Sequence, residues 1–131
     1  MKRILFLNTC INWGGGENWT FQVAEYLSKK PNYSVIIGSV SNSELYRRAE
    51  TNGIQTKKVP IKSSLSALNL IKLIQFSLYL RKEKIDVIFL NLSRDLKFGA
   101  LSAKLAGVKR IIYRRGSAIP IKDRFYTRFL L

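Results

Sequence analysis

The sequence contains no histidine, a single cysteine, and only eight acidic residues against 23 basic ones. Each shortage excludes something. Without histidine the chain lacks the usual general base near neutral pH and the usual metal ligand, so a Ser-His pair or a His-rich zinc site is out. One cysteine, Cys10, rules out an internal disulfide and fits a reducing compartment, with packing after the first strand as its simplest role. No apolar run approaches the ~18 residues of a membrane-spanning helix. The amino end, MKRILFLN, sets two basic residues before an apolar run of four. Signal peptides need a longer one, so the expectation is a cytoplasmic protein that can touch a membrane surface without crossing it.

Acid is scarce mainly in one part of the chain. Met1 to Thr56 carries 6 basic and 4 acidic residues, whereas Lys57 to Leu131 carries 17 and 4, so nearly all of the +15 net charge belongs to the second part. Such a surface attracts an anionic partner, whether nucleic acid, an acidic membrane or a phosphorylated ligand, although solubility alone is a sufficient reason for it. Hydrophobic content of 47% in 131 residues is enough for one domain with a real core.

The rest of the chain is organised around Arg3 to Glu17, RILFLNTCINWGGGE. Ile4 to Leu7 is a continuous apolar run, suited to a parallel strand covered on both faces. Polar Asn8 and Thr9 mark its carboxyl end. Gly14, Gly15 and Gly16 then permit a close backbone approach, and a helix from Glu17 presents unpaired N–H groups that attract phosphate. The spacing is not G-x-G-x-x-G, so a glycine turn that only packs strand against helix is the plain alternative.

Downstream, strands and helices alternate. Trp19, Val23, Ala24 and Leu27 recur at helical spacing, and Tyr33 to Gly38 is a β-branched strand. Ser43 opens a short helix with Leu45, Tyr46 and Ala49 inside and Asn52-Gly53 as its stop. Ile54 to Pro60 is an edge strand. Leu65 to Lys84 forms a helix with two apolar faces, Leu68, Ile71, Ile74 and Leu78 on one and Leu70, Leu73, Phe76 and Leu80 on the other. So wide an arc suits a helix covered by sheet and neighbours, with a face left for a partner domain or lipid as the sharper alternative. Ile85 to Leu90 is a buried strand, followed by a helix to Gly107 packed through Leu101, Ala103, Leu105 and Ala106. Lys109 to Tyr113 is the fifth strand. The last segment, IKDRFYTRFLL, starts like an amphipathic helix and ends uncapped, which reads as a cut rather than a natural terminus. The expected fold is α/β, a Rossmann-like doubly wound parallel sheet in three α/β/α layers, with ligands beyond the carboxyl ends of the strands.

Four pieces, the N-x-x-x-x-GGGE ending of the first strand, the IDVIFLN strand, the LAGVKRIIYRRG segment and the helix after it, resemble the amino-terminal domain of GT-B glycosyltransferases of family 4. The resemblance covers essentially the whole chain. It implies that residues 1–131 form the acceptor-side domain of a sugar transferase, that a carboxyl-terminal donor domain is absent, and that this part alone is inactive. It implies a nucleotide-sugar donor, no metal or other cofactor, and a cell-envelope glycan or lipid-linked acceptor, beside an anionic membrane surface. Gly14, Gly15, Gly16 and Glu17 would form the donor diphosphate loop. Trp13, Asn91, Arg94, Arg114, Arg115, Gly116 and Ser117 would line the acceptor cleft. Retaining members transfer the sugar with help from the departing diphosphate, so no catalytic residue of the usual kind is expected here. One departure stands out: Arg115 occupies the place where many members carry a histidine before glycine, and arginine can orient and neutralise but cannot act as a base. The other readings are a stand-alone nucleotide- or phosphate-binding module, and nucleic-acid binding, for which no reading motif is present.

Overall fold

A computed structural model describes residues 2–59 and 70–114, apart from the side chains of Ser93 and Arg94. The expected start of the third helix before Leu70, and everything from Arg115 onward, lie outside the described residues. Five strands, β1 (Lys2–Leu7), β2 (Tyr33–Ser39), β3 (Gln55–Lys58), β4 (Val87–Leu90) and β5 (Arg110–Tyr113), alternate with helices α1 (Gly15–Ser28), α2 (Glu44–Thr51), α3 (Leu70–Lys82) and α4 (Ser93–Ala106). All pairings are parallel, in the order β3-β2-β1-β4-β5. β1 is central, pairing Leu5 with Ile36 of β2 on one side and with Ile88 of β4 on the other.

Two cores follow from the strand period of two. Ile4 and Phe6 join Val35, Ile37, Ala24, Leu45 and Ala49 under α1 and α2. Leu5 and Leu7 join Ile36, Ile88, Leu73, Phe76, Leu80 and Phe98 under α3 and α4. Helices therefore cover both faces of a doubly wound, Rossmann-like sheet. The chain leaves β1 in one direction for β2 and β3 and returns on its other side for β4 and β5, which puts the ligand crevice of such a fold at the carboxyl ends of β1 and β4.

Local signals set the helix limits. The Ser43 hydroxyl accepts from the Tyr46 N–H at 3.0 Å, and α2 stops at Asn52 before Gly53. Gly107 ends α4 in the left-handed conformation, φ 79°, where a side chain would be strained. Gly99 serves packing instead, because a Cβ there would overlap Leu90 Cδ2 and stand 3.0 Å from Leu7 Cδ2. Alanine gains about 1 kcal/mol over glycine inside a helix, but overpacking a buried contact costs about 1–3 kcal/mol. Gly99→Ala is therefore expected to lower stability by about 1 kcal/mol, read as an earlier urea midpoint; a later midpoint would show that α4 can lift off the sheet without cost.

Three sequence expectations are corrected. α1 begins at Gly15 rather than Glu17, because residues of a first turn donate no intrahelical bond and glycine costs little there. The third helix is not covered all round: Leu73, Phe76 and Leu80 are buried, whereas Leu70, Ile71, Ile74 and Leu78 are exposed. In α4, Leu101 and Leu105 also face outward, and Phe98, Gly99 and Ser102 take the inner positions, Ser102 by donating to the Leu73 carbonyl at 3.3 Å.

Candidate functional site

Buried polar side chains line the carboxyl ends of β1 and β4 and fix the start of α1 above them. Asn8 follows β1 and is buried; its Nδ2 donates to Glu17 Oε2 at 3.1 Å and its Oδ1 accepts from the Cys10 N–H at 3.1 Å. The Thr20 hydroxyl donates to the Gly16 carbonyl at 2.9 Å and stands 3.5 Å from Asn91 Oδ1, while Asn91 Nδ2 donates to the Leu7 carbonyl at 3.2 Å. Strand β1, helix α1 and strand β4 are thereby held in one register. Glu17 is buried in this network with its carboxylate turned inward.

What faces outward at this point is backbone. Gly14 is the N-cap in extended conformation, φ −152° and ψ −164°, and no side chain caps it. The first intrahelical bond runs from the Asn18 N–H to the Gly14 carbonyl at 2.9 Å, so the N–H groups of Gly15, Gly16 and Glu17 precede the ladder. An added Cβ at Gly15 or Gly16 would meet nothing within 4 Å. Three adjacent N–H donors at the positive end of a helix are an anion-binding arrangement.

Arg114 follows β5 on the other side of the crevice, held by its N–H on the Leu90 carbonyl at 2.7 Å. Its guanidinium lies 4.2 Å from the ring centroid of Trp19 of α1, and Trp19 packs on Phe6 and Phe89. Nη1 is buried without a hydrogen-bond partner. Burial pushes the Arg114 pKa below its ordinary value, yet a guanidinium starts so high that it stays charged at neutral pH. A cation desolvated in this way favours an anion beside it.

Trp13 is half-buried at the near rim, with the Arg48 guanidinium 4.0 Å from its ring centroid and Phe21 edge-on at 6.3 Å. Arg48 also binds Glu44 at 2.7 Å, and Arg47 binds the same carboxylate. These two guanidinium groups hold the Glu44 carboxyl at about 2, so the cluster that anchors Trp13 keeps its charges across the neutral range. The Glu44 N–H donates to the Ile11 carbonyl at 3.2 Å, tying α2 to the glycine segment.

Asp95, passed over in the sequence, is the second buried carboxylate here. It accepts from the Thr9 hydroxyl at 2.6 Å, from the Thr9 N–H at 3.2 Å and from the Leu92 N–H at 3.2 Å. The available sequence signal was an acid in the first turn of a helix. Of the residues expected in the cleft, the structure brings Trp13, Gly14, Gly15, Gly16, Glu17, Asn91 and Arg114 to the carboxyl edge of the sheet. The side chain of Arg94, and Arg115, Gly116 and Ser117, lie outside the described residues. Among the described residues no group of three His, Cys, Asp or Glu could hold a metal ion, and both buried carboxylates are engaged in internal hydrogen bonds.

Fold and crevice together define a Rossmann-like unit whose carboxyl edge presents backbone N–H donors and a guanidinium. Residues 3–126 match the Glycosyl transferase 4-like family, and the chain belongs to it. The family agrees with the resemblance carried by the GGGE and LAGVKR segments. Among solved structures, MurG of Acinetobacter baumannii is similar at a TM-score of 0.73 and 14% identity, over 99% of this chain and 40% of that one. HepE of Anabaena, solved with UDP and glucose, is similar at 0.64 and 21%, over 86% and 29%. The lipopolysaccharide outer core galactosyltransferase WaaB is similar at 0.63 and 16%, over 88% and 33%. No curated protein matches by sequence. The chain thus spans 29% to 40% of the length of these three structures.

Proposed function

We propose that this chain is the acceptor-side half of a hexosyltransferase that moves a sugar from a nucleotide-sugar to a cell-envelope glycan or a lipid-linked acceptor, with a second Rossmann-like domain supplying the donor. The observation that carries the reading is the uncapped start of α1, where three backbone N–H groups precede the helical ladder at the carboxyl edge of the sheet. In this reading the donor diphosphate, held by the other domain, meets Gly15 and Gly16 as it departs. Its developing charge is stabilised by preorganised N–H donors that need no rearrangement at the moment of reaction. HepE, solved with UDP and glucose, supports the choice of donor class, and the WaaB description supports the choice of acceptor class. A cytoplasmic site beside a membrane suits a lipid-linked acceptor.

Arg114 supplies positive charge from the β5 side, and Arg115 follows it in sequence. Arg115 stands where many family members carry histidine, and its part is to orient acceptor or phosphate oxygens through bidentate hydrogen bonds. In the complete transferase, Arg115→Ala is expected to reduce turnover or acceptor affinity about tenfold or more, the size of one lost charge-assisted contact. Steady-state kinetics with varied acceptor read it out, and unchanged kcat and KM would remove Arg115 from the mechanism.

A further inference from the structure

We propose that the buried carboxylate of Glu17 holds down the anion affinity of the α1 start, so that its N–H groups engage a diphosphate only while another domain presents it and let it go afterwards. The inference rests on the transferase reading above and adds to it the residue that sets how tightly this edge binds. Glu17 is the third residue of α1, so its own N–H is one of the three that precede the ladder, while its side chain turns back beneath them. It is only 7% exposed. Oε2 accepts from Asn8 Nδ2 at 3.1 Å, and Oε1 stands 3.2 Å from where a Cβ on Gly14 would sit, beside the N-cap itself. Among the described residues Oε1 accepts no hydrogen bond, and the ion pairs go to Glu44 and Glu83 rather than to Glu17. One neutral amide is its side-chain partner, and no cation offsets its charge.

A carboxylate in the first turn interacts with the same positive helix end that an incoming anion would use. The two negative charges also repel each other. At a separation of roughly 6 Å and an effective dielectric near 20, that repulsion weakens binding by about tenfold or more. Because Glu17 is buried and held by Asn8, it cannot turn away into water, and salt screens it little. Weak affinity suits the reaction. An anion held equally well before and after transfer adds nothing to turnover, and a diphosphate kept by the glycine segment would obstruct the next donor. With Glu17 in place the donors stay preorganised for developing charge without capturing the product. A carboxylate that served only as a brace between β1 and α1 would have the opposite signature, since its loss would loosen the donors and weaken anion binding.

Titration of the 131-residue chain with inorganic pyrophosphate, followed on the amide resonances of Gly15 and Gly16, tests the proposal. Glu17→Gln keeps an oxygen for the Asn8 amide and is expected to bind pyrophosphate about tenfold more tightly than the wild type. Glu17→Met adds no donor of its own and is expected to show the same gain; Asn8 Nδ2 retains the Thr20 hydroxyl at 3.4 Å, and the urea midpoint checks the fold of both variants. Glu25→Gln makes the same change in net charge on half-buried Glu25 of the same helix, ~12 Å further along, and is expected to alter the dissociation constant less than about twofold. The proposal is overturned if Glu17→Gln binds no more tightly than the wild type, if Glu17→Gln gains and a folded Glu17→Met does not, or if Glu25→Gln gains as much. In each of these cases the Gly15 and Gly16 amides still respond to pyrophosphate and the transferase reading stands. If they respond in no variant, the proposal and the reading fail together.

Discussion

Gly15→Pro in the complete transferase is expected to cut turnover about 100-fold to 1,000-fold, the cost of removing one preorganised donor from a developing negative charge, and to leave the domain folded. Gly15 is the first helical residue of α1 and follows an N-cap in extended conformation. Proline is well tolerated at that position, because its fixed φ suits the first turn and the residue before it must be extended. A side chain there meets no neighbour, and the ladder starts only at the Asn18 N–H. What the substitution removes is a single N–H. Stability should stay level or rise by about 0.5 kcal/mol through a less flexible unfolded chain. Full turnover in a normally folded variant would show that the start of α1 does not serve the diphosphate.

The second large effect concerns the floor of the site. Asp95→Ala is expected to lower the free energy of unfolding by about 3 kcal/mol, since hydrogen bonds to a charged group are worth about 1.5–3 kcal/mol and the donors left behind stay desolvated. Thr9 is fully buried, so its N–H and hydroxyl cannot turn to water in place. Asp95→Asn keeps one acceptor oxygen and should lose about half as much. Urea unfolding of the two variants measures both. A loss below about 0.5 kcal/mol, the range of ordinary surface substitutions, would mean that the β1–α4 contact is not held by this carboxylate.

The two predictions differ in how far the sequence could have led to them. The glycine segment was readable because its signal is local: an apolar strand, polar residues at its end, then glycines. Ser43 and Asn52-Gly53 bounded α2 for the same reason. Asp95 was not readable, since its partner Thr9 is 86 residues away and an acid in a first turn is ordinary. Nor was the stacking of Arg114 on Trp19, which needs β5 to lie near α1. The third helix shows the limit from another side. With apolar residues on two faces, periodicity cannot say which face the sheet takes, and only the placement of α3 beside α4 decides that Leu73, Phe76 and Leu80 go inside. The expectation of full cover failed there, and the exposed stripe became visible. Nor was the orientation of the Glu17 side chain readable, whose carboxylate the Asn8 amide draws inward.

On the function proposed above, this chain holds one side of a nucleotide-sugar site and not the nucleotide itself. The described residues fit that division, with N–H donors and a guanidinium at the edge of the crevice. Isothermal titration of the 131-residue chain with UDP and with UDP-glucose tests it most directly. No saturable binding is expected below about 1 mM, the weak end of the affinity scale, because on this proposal another domain presents the nucleotide. Saturable binding with a Kd of about 10 μM or tighter, roughly −7 kcal/mol, would contradict it and identify a self-sufficient nucleotide-binding module.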